Sequence, residues 1–148
     1  MNADLKVNNE PIKSTSAEKF TKLFGDNTHQ LFSISKLLVG SQLFKLSWDD
    51  RNDTSYSVSC DKSAGVIVAI WDYENRQDTM INLLQAEGWI LKNEQPLWWR
   101  QRKPGWKYQY GKTRAIMSKN IQAGEIFSFI KPEKHMPISI FVVKGKTE

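Results

Sequence analysis

Aromatic and basic side chains alternate over residues 98–114 of this 148-residue chain. The stretch holds six basic and five aromatic residues and no acid. Cations neutralise phosphates and flat rings stack on bases, which are the two contacts that a single-stranded nucleic acid offers. The pattern therefore predicts a nucleic-acid-binding surface, with site residues Trp98, Trp99, Arg100, Arg102, Lys103, Trp106, Lys107, Lys112 and Arg114.

Strand geometry divides these rings between two faces. Adjacent Trp98 and Trp99 must point to opposite faces of a strand, whereas Trp106, Tyr108 and Tyr110 share one face. If that shared face is turned to the core, its three rings are structural and the lysines between them are solvated. The binding hypothesis needs only one or two exposed rings among the three tryptophans, so both interpretations stay open.

The charge of the chain is unevenly distributed. Residues 1–97 carry ten Lys/Arg and thirteen Asp/Glu (−3), whereas residues 98–148 carry eleven and three (+8), which together give the net charge of +5. Such a basic half favours a polyanionic partner and predicts binding that weakens with salt. The best predicted helix, near residues 75–87, has one Arg and two acids. We therefore expect single-stranded DNA or RNA rather than a duplex read by a helix in its groove.

An alternative partner is another protein. Exposed aromatic rings beside arginine are also the composition of protein–protein hot spots. On this alternative the chain is an accessory or inhibitor protein of the phage or mobile-element type, and the same Trp/Arg patch contacts its target. The basic half disfavours an inhibitor that mimics DNA, which would be acidic.

Catalytic and metal-binding patterns are not found in the sequence. His29 and His135 lie in no metal-ligand spacing, and the Asp cluster over 49–61 is typical of turns. The alternating pattern places Cys60 on an apolar strand face without an activating base. Glycine-rich nucleotide loops are also missing from the sequence. We expect a non-enzymatic protein without a metal or other cofactor.

The sequence also bears on cellular location. Cys60 is the single cysteine, so no internal disulfide can form, which is typical of a reducing cytoplasm. Neither an N-terminal apolar signal region nor a run of about 20 apolar residues is present. We expect a cytoplasmic protein with no membrane partner.

The remaining patterns predict the elements that position the stretch. Thr15 and Glu18 form a capping-box pattern that predicts a helix ending at Gly25, and a second helix is favoured over a strand for 26–40. A central helix is predicted near 75–87, ended by Gly88. Strands are predicted over 44–48, 55–60, 65–71, 89–91, 97–102, 106–110, 113–118, 126–130 and 138–143.

These elements predict one α+β domain over residues 15–148, mainly an antiparallel sheet with two or three helices. Residues 1–14 are polar with only three unpatterned apolar residues, and they predict a flexible N-terminal arm.

Overall fold

The computed structural model describes residues 3–24, 29–46, 54–71, 78–92, 96–102, 107–131 and 137–144. Within these ranges the chain forms twelve strands and one helix. In chain order they are β1 (Ala3–Val7), β2 (Glu10–Pro11), β3 (Ser14–Ser16), β4 (Gln30–Ser33), β5 (Gln42–Phe44), β6 (Ser55–Cys60), β7 (Ala64–Trp71), α1 (Asp78–Ala86), β8 (Ile90–Lys92), β9 (Trp98–Arg102), β10 (Tyr108–Ile121), β11 (Ile126–Ile130) and β12 (Ile138–Lys144).

The strands form two sheets in which each strand pair is antiparallel. The smaller sheet has the order β11-β6-β1-β2. The larger sheet has the order β3-β5-β12-β7-β10-β9-β4, and β8 pairs with β10 beside this path. Strand β10 is the longest, with 14 residues, and it pairs with β7, β8 and β9.

A first hydrophobic core lies between the two sheets. Strand β6 alternates buried Tyr56, Val58 and Cys60 with half-buried serines, so one face of the smaller sheet points into this core. Strand β7 is buried along its whole length, and Val66 and Val68 face the same core. Helix α1 closes the core with residues on one of its faces, Met80 and Leu84.

A second core lies on the other face of the larger sheet, which curls around it. Ile67, Ala69 and Trp71 of β7 point into this core, opposite the Val66 side. Two isolated β-bridges connect strands across this curled sheet. Lys22 pairs with Gln30 of β4, and Phe24 pairs with Leu46, just after β5. The segment from Lys22 to Phe24 thus connects the edge strand β4 with the chain after β5, next to the other edge strand, over the second core.

A β-bulge in β10 changes which side chains face each core. The register with β7 shifts between Thr113 and Ala115. After the bulge, Ala115 and Met117 face the first core and Ile116 faces the second. Before the bulge, Gly111 lies against Trp99 of the second core, so the odd and even positions of β10 have exchanged faces.

The prediction of an α+β domain with two or three helices is wrong. Twelve strands and one helix make the described chain mainly β, and the predicted helix pair over 15–40 contains β3, β4 and turns instead. The physical reason lies in pairing between strands. Ser14–Ser16 pairs with β5, and Leu31 donates its N–H to the Thr21 carbonyl, so tertiary pairing replaces the helical pattern.

Two strands of the smaller sheet, β1 and β2, lie in the segment for which the sequence predicts a flexible arm. Ala3–Val7 pairs with β6 from Ala3↔Cys60 to Val7↔Tyr56, and both Ala3 and Leu5 are buried in the first core. The side chain of Gln42 also binds the backbone of Ala3 from both sides, accepting from its N–H and donating to its carbonyl. The central helix is present as Asp78–Ala86.

Candidate binding surface

Strands β4 and β9 and the first part of β10 form a three-stranded region that presents one face to solvent. The register pairs Gln30 with Arg100 and Arg100 with Tyr110. Cross-strand partners lie on the same face of a sheet, so these three side chains form one row. Trp98 pairs with Lys112 and forms a neighbouring row on the same face.

We call this face the aromatic–basic surface. Phe20 joins it from the turn before β4, and Lys19 lies beside it. Its members are Lys19, Phe20, Gln30, Phe32, Trp98, Arg100, Tyr108, Tyr110 and Lys112.

The rings of this surface are accessible to a ligand. Tyr110 is 47% exposed, Tyr108 and Phe20 are each 42% exposed, and Trp98 is 37% exposed. Aromatic side chains of this size are usually much more buried, because each can remove a large apolar area from water. Several partly exposed rings on one face therefore mark a patch that can bind a partner.

Arg100 lies at the centre of the surface and stacks on two of its rings. The guanidinium carbon is 4.0 Å from the centroid of the Phe20 ring and 4.6 Å from that of Tyr108. Its Nε donates a 3.2 Å hydrogen bond to Oε1 of Gln30. These contacts hold the guanidinium beside the rings, at distances typical of cation–π interactions. The charge is thus positioned before any ligand arrives.

The other rings contact one another or a lysine. Phe32 meets Tyr110 edge to face at 5.0 Å, and Tyr108 lies 6.2 Å from Tyr110. The Nζ of Lys112 lies 6.0 Å from the Trp98 ring. Rings that brace each other in this way lose less side-chain entropy when a ligand binds. The strands that carry the surface, β4, β9 and β10, contain no acidic residue.

Trp99 points away from this surface, as the opposite-face prediction for adjacent tryptophans requires. It is 7% exposed, belongs to the second core, and meets the ring of His29 edge to face at 4.4 Å. His29 in turn contacts Phe24 at 5.9 Å. Trp99 is therefore part of the core, and of the two adjacent tryptophans Trp98 is the one exposed to solvent.

The other predicted site residues are distributed as follows. Lys103 and Trp106 lie outside the described residues. Lys107 is exposed next to Tyr108. Arg102 and Arg114 are exposed, and both also take part in other interactions of the fold. The aromatic–basic surface thus brings together Trp98, Arg100 and Lys112 from the predicted set, with Arg102 paired to Tyr108 at its margin.

Six residues of the surface were not among the predicted site residues: Lys19, Phe20, Gln30, Phe32, Tyr108 and Tyr110. Lys19 and Phe20 fell in a predicted helix, and Phe32 fell in a second one. The strand alternative for residues 31–35 contains the missed signal, because it places Leu31 and Phe32 on opposite faces. Nothing in the local sequence indicates Phe20, which adopts a left-handed backbone (φ 71°) and reaches the surface through the fold.

Other candidate chemistry finds little support in the described ranges. No three His, Cys, Asp or Glu side chains come together there as possible metal ligands. His135 and the Asp residues 49, 50 and 53 lie outside those ranges. Cys60 is buried, and its burial raises the pKa of the thiol, with smaller contributions from Asp61 and Asp4. The one described helix is not long or apolar enough to cross a membrane.

Comparison with known proteins finds no matching family model and no matching curated relative. Among solved structures, the chain resembles part of a GH138 enzyme targeting pectin rhamnogalacturonan II, with a TM-score of 0.62 and 16% sequence identity. The match covers 100% of this chain and 17% of that enzyme. At this identity the likeness concerns the fold of a small part of a much larger protein.

Proposed function

We propose that this chain is a non-enzymatic binding protein that holds single-stranded DNA or RNA on the aromatic–basic surface. The observation that carries the proposal is the Arg100 stack. The Arg100 guanidinium contacts the Phe20 and Tyr108 rings and lies in a row with exposed Tyr110 on strands that lack acids. Bases stack on the rings while phosphates meet the cations.

The shape of the surface favours an unpaired strand over a duplex. A duplex hides its base faces, so exposed rings can stack only on unpaired bases. Helix α1 has the sequence DTMINLLQA and carries no basic residue, so it is unsuited to lie between the phosphates of a groove. We place this function in the cytoplasm, because the only cysteine is a free, buried thiol.

Fluorescence anisotropy of labelled ten-nucleotide DNA, RNA and duplex probes, measured at low and at physiological salt, tests the proposal. We expect both single strands to bind more tightly than the duplex. If about three phosphates are neutralised, the logarithm of the binding constant falls with the logarithm of salt concentration with a slope of about −2. An acidic polysaccharide supplies charge without bases and should compete only weakly.

Ring variants assign the binding to this surface. Removing one stacking ring by Tyr110→Ala should weaken binding about tenfold, because base–aromatic stacking contributes about 1–3 kcal/mol for each base. Ile126→Ala is the matched control, since Ile126 is 65% exposed but lies on β11 of the other sheet. Circular dichroism confirms that both variants are folded.

Two outcomes would contradict the proposal. If no probe binds at low salt while the protein is folded, nucleic acid is not the ligand, and the exposed rings with Arg100 become a contact surface for a protein partner. If the acidic polysaccharide binds as tightly as the oligonucleotides, the surface recognises charge without stacking bases.

A further inference from the structure

A cavity opens beside the aromatic–basic surface, where β10 changes partner. Strand β9 pairs with β10 as far as Lys112, and β8 pairs with it from Ile116 onward. The described strand pairings on that side thus leave a gap between β9 and β8 at residues 113–115. Thr113 is held at the edge of this gap, donating its N–H to the Leu97 carbonyl at 3.0 Å and accepting from the Leu97 N–H at 3.2 Å.

The cavity is lined by both basic and apolar residues. The volume is about 250 Å³, below the roughly 300–1,000 Å³ of sites for whole drug-sized ligands. The described residues that line it are Leu91, Lys92, Pro96, Lys112, Thr113, Arg114, Ala115 and Ile116. Among these, Lys92, Lys112 and Arg114 are cations, and none is an acid.

Lys112 connects the cavity to the surface. Its side chain lines the cavity, and its Nζ lies 6.0 Å from the ring of Trp98. The Trp98 ring and the cavity thus share Lys112 as a neighbour. Lys92 and Arg114 also line the cavity, and both have further interactions within the fold.

We propose that the cavity binds the terminal phosphate of the single strand held on the aromatic–basic surface. This inference rests on the proposed function. A phosphodiester inside a strand carries one negative charge, whereas a terminal phosphate monoester carries about −1.5 to −2 at neutral pH. Three cations around one small cavity match the terminal group better. The apolar part of the lining, with Leu91 and Pro96, suits the carbon face of the adjoining sugar.

The test compares ten-nucleotide strands that differ only in their ends: hydroxyl at both ends, phosphate at the 5′ end, or phosphate at the 3′ end. The label is attached to an internal base. We expect one of the two phosphorylated strands to bind about tenfold more tightly than the hydroxyl strand, as additional charge-assisted hydrogen bonds would give. A mononucleoside monophosphate alone should bind far more weakly than that strand.

Substitution of Lys92 assigns the gain to the cavity. Lys92→Gln should reduce the preference for the phosphorylated end to about twofold or less. Lys62→Gln is the matched control, because it removes one positive charge near Ala64. Ala64 pairs with Ile121, which is five residues along β10 from Ile116 and about 17 Å away.

The outcomes separate this inference from the proposed function. If all three strands bind equally, the terminal-phosphate site is refuted while single-strand binding stands. If none binds, both fail. A preference that survives Lys92→Gln, or a mononucleotide that binds as tightly as the strand, would also overturn the assignment of the cavity to a strand end.

Discussion

Gly111 and Trp99 are cross-strand partners, and the indole of Trp99 lies so close to Gly111 that a Cβ there would overlap the ring. Glycine is thus required at this position for space. The contact holds Trp99 in the second core while Trp98 and Arg100, its neighbours in β9, remain on the aromatic–basic surface. The packing beneath the sheet therefore supports the binding face above it.

Gly111→Ala should destabilise the fold by about 1–3 kcal/mol, because the added methyl group overpacks the contact with the buried ring. Urea denaturation measures this change in the free energy of unfolding. In a Trp99→Phe background the smaller ring leaves room, so the same substitution should cost less. An equal cost in both backgrounds would show that the two residues are not coupled.

Ser139→Ala should cost about 1–3 kcal/mol in unfolding free energy. The hydroxyl of Ser139 accepts a 2.9 Å hydrogen bond from Nε1 of Trp71, and both residues are fully buried. Removing the hydroxyl leaves the indole N–H without that acceptor in an apolar core. Ser128→Ala on the exposed side of β11 is the control and should change stability by less than about 0.5 kcal/mol. A similar loss in both variants would argue against the buried hydrogen bond.

Arg100→Lys and Arg100→Gln separate the stacking of this residue from its charge. A lysine cannot reproduce the flat guanidinium on Phe20 and Tyr108, so both variants should lose about 0.5–1 kcal/mol of stability in thermal or urea unfolding. Only Arg100→Gln removes the charge. It alone should reduce the salt slope of single-strand binding, by about 0.7. Identical slopes for the two variants would exclude a phosphate contact by Arg100.

The free energy of unfolding should fall in alkaline solution because of the raised pKa of the Cys60 thiol. Its pKa is raised in the folded state by burial and by Asp61 and Asp4, so the unfolded chain loses the thiol proton first as the pH rises. The contribution of the neutral thiol is therefore complete below about pH 8.5, the ordinary thiol pKa, and declines above it. We expect the stability difference between the wild type and Cys60→Ala to narrow between about pH 7 and about pH 9.5. A constant difference would contradict the raised pKa.

The strands whose apolar pattern matches their burial were predictable from the sequence. In β6, serines alternate with Tyr56, Val58 and Cys60, which marks one buried and one open face. Strand β7 is apolar throughout because it lies between two cores. Helix α1 has a clear apolar stripe with Met80 and Leu84, and Gly88 follows it with a positive φ of 92°.

The N-terminal third was not predictable from local pattern. Ser16 donates to the Glu18 carboxylate, and the Glu18 N–H donates to Thr21 Oγ1, so Glu18 of the predicted capping box stabilises a turn instead of a helix start. Leu23 and Phe24 are buried in the second core at a spacing that also suits a helix. Pairing with β4 and β5 decides between a helix and the observed strands and turns. Those partners lie farther along the chain than the three- or four-residue spacing of a helix.

By itself the sequence determined that residues 98–114 carry rings and cations without acids, and that Trp98 and Trp99 point in opposite directions. Both follow from composition and from the two-residue period of a strand. Only the tertiary structure decided which direction is open to solvent. The bulge at Thr113–Ala115 exchanges the faces of β10, and the first core includes Ala115, Met117 and Ile121 of this strand beyond the bulge. Tyr108 and Tyr110 precede the bulge and are exposed. Which part of β10 is buried depends on strands that are distant in the sequence.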